Sequence, residues 1–268
     1  MSKLPTHSLF FIPPPSKVSL SFKDYFSRQA SNYAKYRPGY PDELYSYLTE
    51  TATAHTAAWD CATGNGQVAI GLAPYFEAIY ATDASASQIA NAFPHPRIRY
   101  SVAPAGASEL PDRCVDLITV GLALHWLPLE EFYAEVKRVG RPRSLFAVWC
   151  SDLFQVADAT PEIAALIEEL YNLILPMQPP EVQLVHDHYQ TVPFPFEELP
   201  APTFRQSVQW TPEMILGCVS TWSAVQRYAD VRGWDGLKAW GDRLSAAWGD
   251  PAIPLTVCWD IYLRVGRV

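Results

Sequence analysis

Apolar and polar positions follow two rhythms along the first 150 residues. Short apolar runs, "AAWDCA", "EAIYATD", "RIRYSVA", "VDLITVG" and "SLFAVW", read as five strands. Strands covered on both faces show such continuous runs rather than strict alternation. Helical spacing fills the gaps between them. "GQVAIGLAPYF" is predicted as a helix opened by glycines, and "SASQIANAF" as a helix capped by Ser85. "LEEFYAEVKRV" puts Phe132, Val136 and Val139 on one helix face. Strands alternating with helices predict right-handed crossovers and a mostly parallel sheet. Ahead of them, "FKDYFSRQASNYAKYRPGYPDELYSYLTE" predicts two helical stretches split by Pro38 and Pro41.

The rhythm changes after Asp152. A helix, "PEIAALIEELYNLIL", leads into a proline-rich stretch ending near Pro202. "TFRQSVQW" is predicted as a strand, helical segments run through Trp248, and "LTVCWDIYLRV" closes the chain as a strand. The expected organisation is an arm over 1–21 and a sheet-and-helix core with N-terminal lid helices over 22–150. A cap or substrate region with a returning strand follows over 151–250, and a last core strand over 251–268. The arm's Leu-Phe-Phe-Ile patch is broken by three prolines, which makes a poor signal peptide.

Composition narrows the function. Of 268 residues, 49% are hydrophobic, enough for a substantial core. The formal net charge of −8 removes the main source of nucleic-acid affinity. No apolar run reaches the roughly 18 residues that a membrane-spanning helix needs. The five cysteines are scattered, with no CxxC and no Cys/His cluster, so neither a disulfide framework nor a metal site is expected. A reducing cytoplasm is the expected location.

The chemistry concentrates in "WDCATGNGQVAIGLAPYFEAIYATDAS". Ligands of open parallel sheets bind at the carboxyl ends of the strands, where strand order reverses. Gly64 and Gly66 allow a sharp turn and close backbone approach there. Asp83, at the end of the second strand, can accept hydrogen bonds from both hydroxyls of a ribose. "GNGQVA" also matches a dinucleotide fingerprint. Asp60 argues against that reading, because a carboxylate just ahead of the turn repels a pyrophosphate and attracts an ammonium or sulfonium. A ribose-bearing, phosphate-free, cationic cofactor is S-adenosylmethionine.

With these residues in hand, the chain resembles the class I S-adenosylmethionine-dependent methyltransferases. It is most similar to the branch that includes trans-aconitate methyltransferase-like and methyltransferase type 11 proteins. "FSRQASNYAKYRPGYPDEL", "DCATGNG", "ATDAS", "VDLITVGLALHWL", "FYAEVKRVGRP" and "TWSAVQRY" carry the likeness. The resemblance implies a Rossmann-like α/β fold: a seven-stranded, mostly parallel sheet with helices on both faces and a cap. It implies that Asp60, Ala62, Gly64 and Gly66 form the cofactor loop and that Asp83 and Ala84 hold the ribose. Pro104 and Ala105, after Ala103, should lie beside the adenine, and Gly121 and Leu122 should flank the methionine part. Tyr33 and Arg37 resemble lid residues, with Arg37 available for the cofactor carboxylate. The expected reaction is methylation of a small organic molecule at oxygen, nitrogen or carbon, with S-adenosylhomocysteine as product. A cofactor-binding fold recruited to a non-methylating reaction and an NAD(P)-dependent oxidoreductase remain the alternatives.

The chain departs from the family pattern at three places. Ala62 stands where the first glycine is usual, and is tolerable there if it keeps a negative φ. Pro142-Arg143-Ser144 replaces a Pro-Gly-Gly turn. Met177-Gln178 replaces a Tyr-Trp pair. His125 is the candidate catalytic residue, as a base or as an orienting group for the acceptor. Trp126, Trp149, Met177 and Trp222 are candidate substrate contacts. Tyr133 and Lys137 match the YxxxK spacing of short-chain dehydrogenases, but no serine precedes them usefully, so a shared helix face explains the spacing. His186 and His188 alternate like metal ligands but lack a third, which reads as a solvated loop.

Overall fold

The computed structural model describes residues 39–151 and 153–268. The N-terminal arm and the lid positions Tyr33 and Arg37 lie outside the described residues. Helix α1 (Asp42–Thr51) starts after Pro41, with Asp42 and Glu43 in its first turn, where the helix dipole favours acids. Then β1 (Ala57–Cys61), α2 (Gln67–Leu72), β2 (Ala78–Asp83), α3 (Ala86–Ala90) and β3 (Ile98–Val102) follow in turn. Strand β4 (Val115–Gly121), α4 (Leu129–Val139) and β5 (Gly140–Ser151) complete the alternating half. The Ser85 side chain accepts from the Gln88 N–H, which is the cap expected for α3.

These five strands pair in parallel in the order β3-β2-β1-β4-β5. The second half contributes β6 (Gln155–Val156), α5 (Pro161–Ile174), α6 (Gln183–His186), β7 (Glu197–Leu199) and β8 (Thr203–Trp210). Helices α7 (Pro212–Ser220), α8 (Ser223–Arg232) and α9 (Asp235–Ala247) then precede the long strand β9 (Leu255–Arg267). Strand β9 runs antiparallel to β5 over Ile261–Arg267 and to β8 over Leu255–Tyr262, while the short β6 and β7 also pair with it. The fold is a mixed α/β, Rossmann-like sheet in which β9 alone among the seven long strands runs against the rest.

Alternate residues of the strands feed two apolar layers. Ala58, Leu117, Leu145 and Ala147 pack with α1 and α2. Trp59, Ile118, Phe146 and Val148 pack with α4 on the other face. This two-sided burial explains the continuous apolar runs in the sequence. A third apolar cluster joins α5, α7, α8 and α9 with Trp210 and Val257, and the Trp240 indole N–H donates to the Leu166 carbonyl inside it at 2.7 Å.

One connection differs from expectation. The "GRPRS" stretch is not a turn; it begins β5 directly after α4. Val115 pairs with Gly140, and the register then shifts so that Leu117 pairs with Leu145. The extra residues bulge out, and Arg143 takes the left-handed φ of 65° that glycine would take more easily.

Asp116 secures the amino end of this sheet. It is 2% exposed, accepts from the Thr56 and Ala57 N–H groups at 2.8 and 3.0 Å, and pairs with Arg141 at 2.6 Å. Asp116→Ala leaves two amide donors and a guanidinium without their acceptor, and should cost about 2–4 kcal/mol in urea denaturation. A loss below about 1 kcal/mol would show that those donors re-pair.

Candidate functional site

The carboxyl ends of β1, β2 and β4 lie side by side because the strands are parallel neighbours. The loop after β1 reverses through left-handed residues: Ala62 at φ 55°, Gly64 at 57° and Gly66 at 92°. Ala62 therefore does not keep the negative φ on which its tolerance was expected to rest. Its methyl carries a strain of about 1–2 kcal/mol that glycine would avoid. Gly66 is needed twice over, since a Cβ there would stand 2.1 Å from the Tyr100 hydroxyl.

Asp60 ends up beneath this loop, only 1% exposed. It does not face open space as an electrostatic lure, which corrects the simplest reading of the sequence. Thr119 lies opposite Asp60 in the β1–β4 register and donates its hydroxyl to Oδ1 at 2.9 Å. The Thr63 hydroxyl donates to Oδ2. Burial pushes the Asp60 carboxyl up to about 7, against the downward pull of the two hydroxyls.

Asp83 is less buried and is held differently. Its Oδ2 accepts from the Gly64 N–H at 2.9 Å and its Oδ1 from the Ser85 N–H at 2.8 Å. These two bonds aim the group. The Ala103 N–H donates to the Asp83 carbonyl, which brings Ala103, Pro104 and Ala105 beside Asp83 and Ala84. Asn65, between the two glycines, is 1% exposed, and neither polar atom of its amide has a partner among the described residues. Buried amides seldom stay unpaired without reason.

A cavity of about 220 Å³ continues from this loop toward the C-terminal half. Gln67, Leu122, His125, Trp126, Gln178 and Trp222 are among the residues that line it. His125 follows β4 in a short 3-10 turn, Leu124–Trp126. Its Nδ1 lies 2.8 Å from the hydroxyl oxygen of Tyr189, a fully buried residue at φ 58°. Burial holds the imidazole down at about 4, with Glu181 opposing, so it is neutral at physiological pH. Burial also holds the Tyr189 phenol well above its ordinary range, and the backbone N–H groups of His125 and Leu124 act on it in the opposite sense. Arg264 braces this unit from β9. Its Nη1 donates to the carbonyls of Tyr189 and Val192 at 2.6 and 2.8 Å, and its Nε and Nη2 bond Glu198.

The structure thus brings together Asp60, Ala62, Gly64, Gly66, Asp83, Ala84, Pro104, Ala105, Gly121 and Leu122 at one sheet edge. His125, Trp126 and Trp222 share the adjoining cavity. Two expected substrate contacts do not line it. Trp149 is fully buried beneath Gly121, edge-on to Tyr40 at 5.3 Å, because its strand position points into the core. Met177 packs against the helical cluster while its neighbour Gln178 takes the cavity side. Tyr133 and Lys137 are structural: the tyrosine hydroxyl donates to the Pro193 carbonyl, and Lys137 lies over Phe196. His186 hydrogen-bonds Gln178 and His188 stacks on Tyr262, so the stretch is a short helix and a tight turn rather than a solvated loop. Among the described residues no group of His, Cys, Asp and Glu could hold a metal, and no helix is long and apolar enough to cross a membrane. Sequence reasoning missed Tyr189 and Asn65. Tyr189 had no local signal, since its partner lies 64 positions away; Asn65 was visible only as the residue between two glycines.

The raised Asp60 carboxyl gives a pH test. The folded value of about 7 exceeds the ordinary one, so stability from the neutral form is complete below about pH 4 and lost as pH rises through 7. Asp60→Asn should remove that slope, leaving the variant more stable than the parent at pH 8 by a few kcal/mol, on the order set by the shift. Urea midpoints at pH 5 and pH 8 measure it; a parent–variant difference that fails to widen would mean that Asp60 is already ionised at pH 5.

Residues 59–148 match the methyltransferase domain family. A Dictyostelium discoideum protein named "Putative methyltransferase" is 29% identical over 262 residues, covering 96% of this chain and 98% of that one. A Saccharomyces cerevisiae "Probable S-adenosylmethionine-dependent methyltransferase" is 25% identical over 130 residues, 45% of each chain. The solved structure of a "Putative Type II Methyltransferase" from Anaeromyxobacter dehalogenans is 41% identical with a TM-score of 0.78, covering 86% of this chain and 97% of that one. The chain belongs to the class I S-adenosylmethionine-dependent methyltransferases.

Proposed function

We propose that the enzyme methylates a small organic molecule from S-adenosylmethionine, bound at the carboxyl ends of β1, β2 and β4. The observation that carries this reading is the aimed Asp83 carboxylate beside a left-handed glycine loop, continuous with the His125 cavity. The residues fit the cofactor. Asp83 would accept the ribose hydroxyls, Pro104 and Ala105 would flank the base, and Gly121 and Leu122 the methionine part. The orphaned Asn65 amide offers a donor and an acceptor at the turn. A cation bound above the loop would draw the Asp60 carboxyl down and keep it ionised. A dinucleotide would bring its pyrophosphate against the same two acids, which disfavours the oxidoreductase alternative. Tyr33 and Arg37 would close over the cofactor, and residues 151–250 would cap the acceptor. The five free cysteines suit a reducing cytoplasm.

The bound cofactor supplies an electrophilic methyl group, and the chain's residues align the acceptor for in-line attack. His125 orients rather than deprotonates. Burial keeps the Tyr189 phenol protonated, and in this reading it donates to Nδ1. The imidazole then carries its own proton on Nε2 and donates toward the cavity.

Two outcomes test this. Asp83→Ala should weaken S-adenosylhomocysteine binding by about 1.5–3 kcal/mol in titration calorimetry and abolish label transfer from radiolabelled S-adenosylmethionine. Unchanged affinity in a folded variant would remove Asp83 from the ribose. For His125, the Gln variant keeps a donor at the same reach. It should retain turnover within about tenfold of the parent, while Ala loses more and raises the apparent acceptor KM. Equal loss of about 10²-fold in both, at unchanged acceptor KM, is the signature of a base.

A further inference from the structure

The acceptor end of the cavity is neutral and aromatic. Trp126, Trp210, Trp222 and Trp259 line it with Phe154. Trp210 and Trp259 lie 5.6 Å apart, and Trp222 packs against Phe154 at 5.7 Å while stacking on Tyr171. Its polar lining is uncharged: Ser151, Gln178, Ser223 and His125, the last neutral because burial holds it near 4. No lysine or arginine lines the cavity among the described residues. Arg264, behind Tyr189, is already engaged by Glu198 and two carbonyls. The charge that acts on His125 is that of Glu181, an acid.

These observations bear on what can enter. A carboxylate moved from water into this lining would lose hydration without gaining a cation from the described residues, a cost of several kcal/mol. It would also meet the field of Glu181. A planar ring, by contrast, gains stacking of about 0.5–1.5 kcal/mol per aromatic partner beyond the area it buries. The cavity volume of about 220 Å³ falls below the range of roughly 300–1,000 Å³ typical of drug-sized ligands. Part of it, at Gln67 and Leu122, adjoins the proposed cofactor loop. That leaves room for one ring or a fused pair.

We infer that the methyl acceptor is a neutral aromatic molecule of one or two rings, carrying a polar group that meets His125, and not a polycarboxylate. This rests on the methyltransferase reading above and narrows its substrate class. It also parts the chain from the acid named in the branch it resembles, in keeping with Gln178 at the cavity wall where related chains carry an aromatic pair.

The test uses the full chain saturated with S-adenosylhomocysteine, titrated calorimetrically at pH 7.5 with two probes that share one fused ring pair, 2-naphthol and 2-naphthoate. Naphthol should bind, and naphthoate at least about tenfold more weakly, since its carboxylate stays buried without a cation. Trp222→Ala should weaken naphthol about tenfold, on the scale of a lost stacking partner, with S-adenosylhomocysteine affinity unchanged. Naphthoate binding as tightly as naphthol overturns the inference. So does failure of both probes to bind while S-adenosylhomocysteine binds normally. Failure of S-adenosylhomocysteine itself would instead strike the cofactor reading, so the two can be told apart.

Discussion

The site depends on how one buried carboxylate is satisfied. Asp60 lies in a central parallel strand, 1% exposed, where an unpaired acid would cost several kcal/mol. Strand register supplies one partner, because Thr119 stands directly across from it on β4. The second partner, Thr63, reaches it because the chain turns back immediately after β1. That reversal needs left-handed backbone at Ala62 and Gly64, and it delivers the Gly64 N–H to Asp83. The orientation of the second acid is therefore a consequence of how the first is hydrogen-bonded.

Much of this was legible in the chain. Strands β1, β4 and β5 were readable because both of their faces are covered, which leaves continuous apolar runs between turn residues; β3, at the end of the parallel order, is largely exposed. The Ser85 cap and the placement of Asp83 at a strand end followed from local rules. What escaped was set by contacts distant in sequence. The "GRPRS" stretch was expected to be a turn by its resemblance to the family's Pro-Gly-Gly, yet pairing with β4 drew it into a bulged strand. Tyr189 sat among polar residues and read as loop, while it is buried in the apolar cluster with Leu124, Val148 and Cys150 and its carbonyl is held by Arg264, 75 positions on. Trp149 and Trp126 are equally aromatic in sequence, but Trp149 lies on β5 with its side chain in the core, while Trp126 lies in the 3-10 turn after β4 and lines the cavity.

The acceptor half is built on a different principle from the donor half. Tyr189 adopts a left-handed φ of 58°, a conformation costing roughly 1–2 kcal/mol in a residue with a Cβ. Arg264 offsets that cost by binding the Tyr189 and Val192 carbonyls, while Glu198 on β7 balances its charge. The chain of contacts runs from the antiparallel strand β9 through the turn to the imidazole. The orientation of His125 is thus fixed by the C-terminal half, whereas the glycine loop is fixed by the N-terminal half. Changes in the helical cluster can reshape the acceptor cavity without moving Asp83.

This division inverts the usual assignment of pH sensitivity. A histidine at an active site is ordinarily the group that titrates near neutrality. Here His125 is buried beside the Tyr189 phenol and is already the neutral imidazole above about pH 4, so its charge does not change near neutrality. The carboxylate beneath the loop is the group poised near 7. Any cation that settles over the loop favours the ionised form of Asp60, so its binding must release a proton from the protein near neutral pH. Linkage then requires the affinity for such a cation to rise with pH through the same range. The histidine next to the acceptor contributes nothing to that slope.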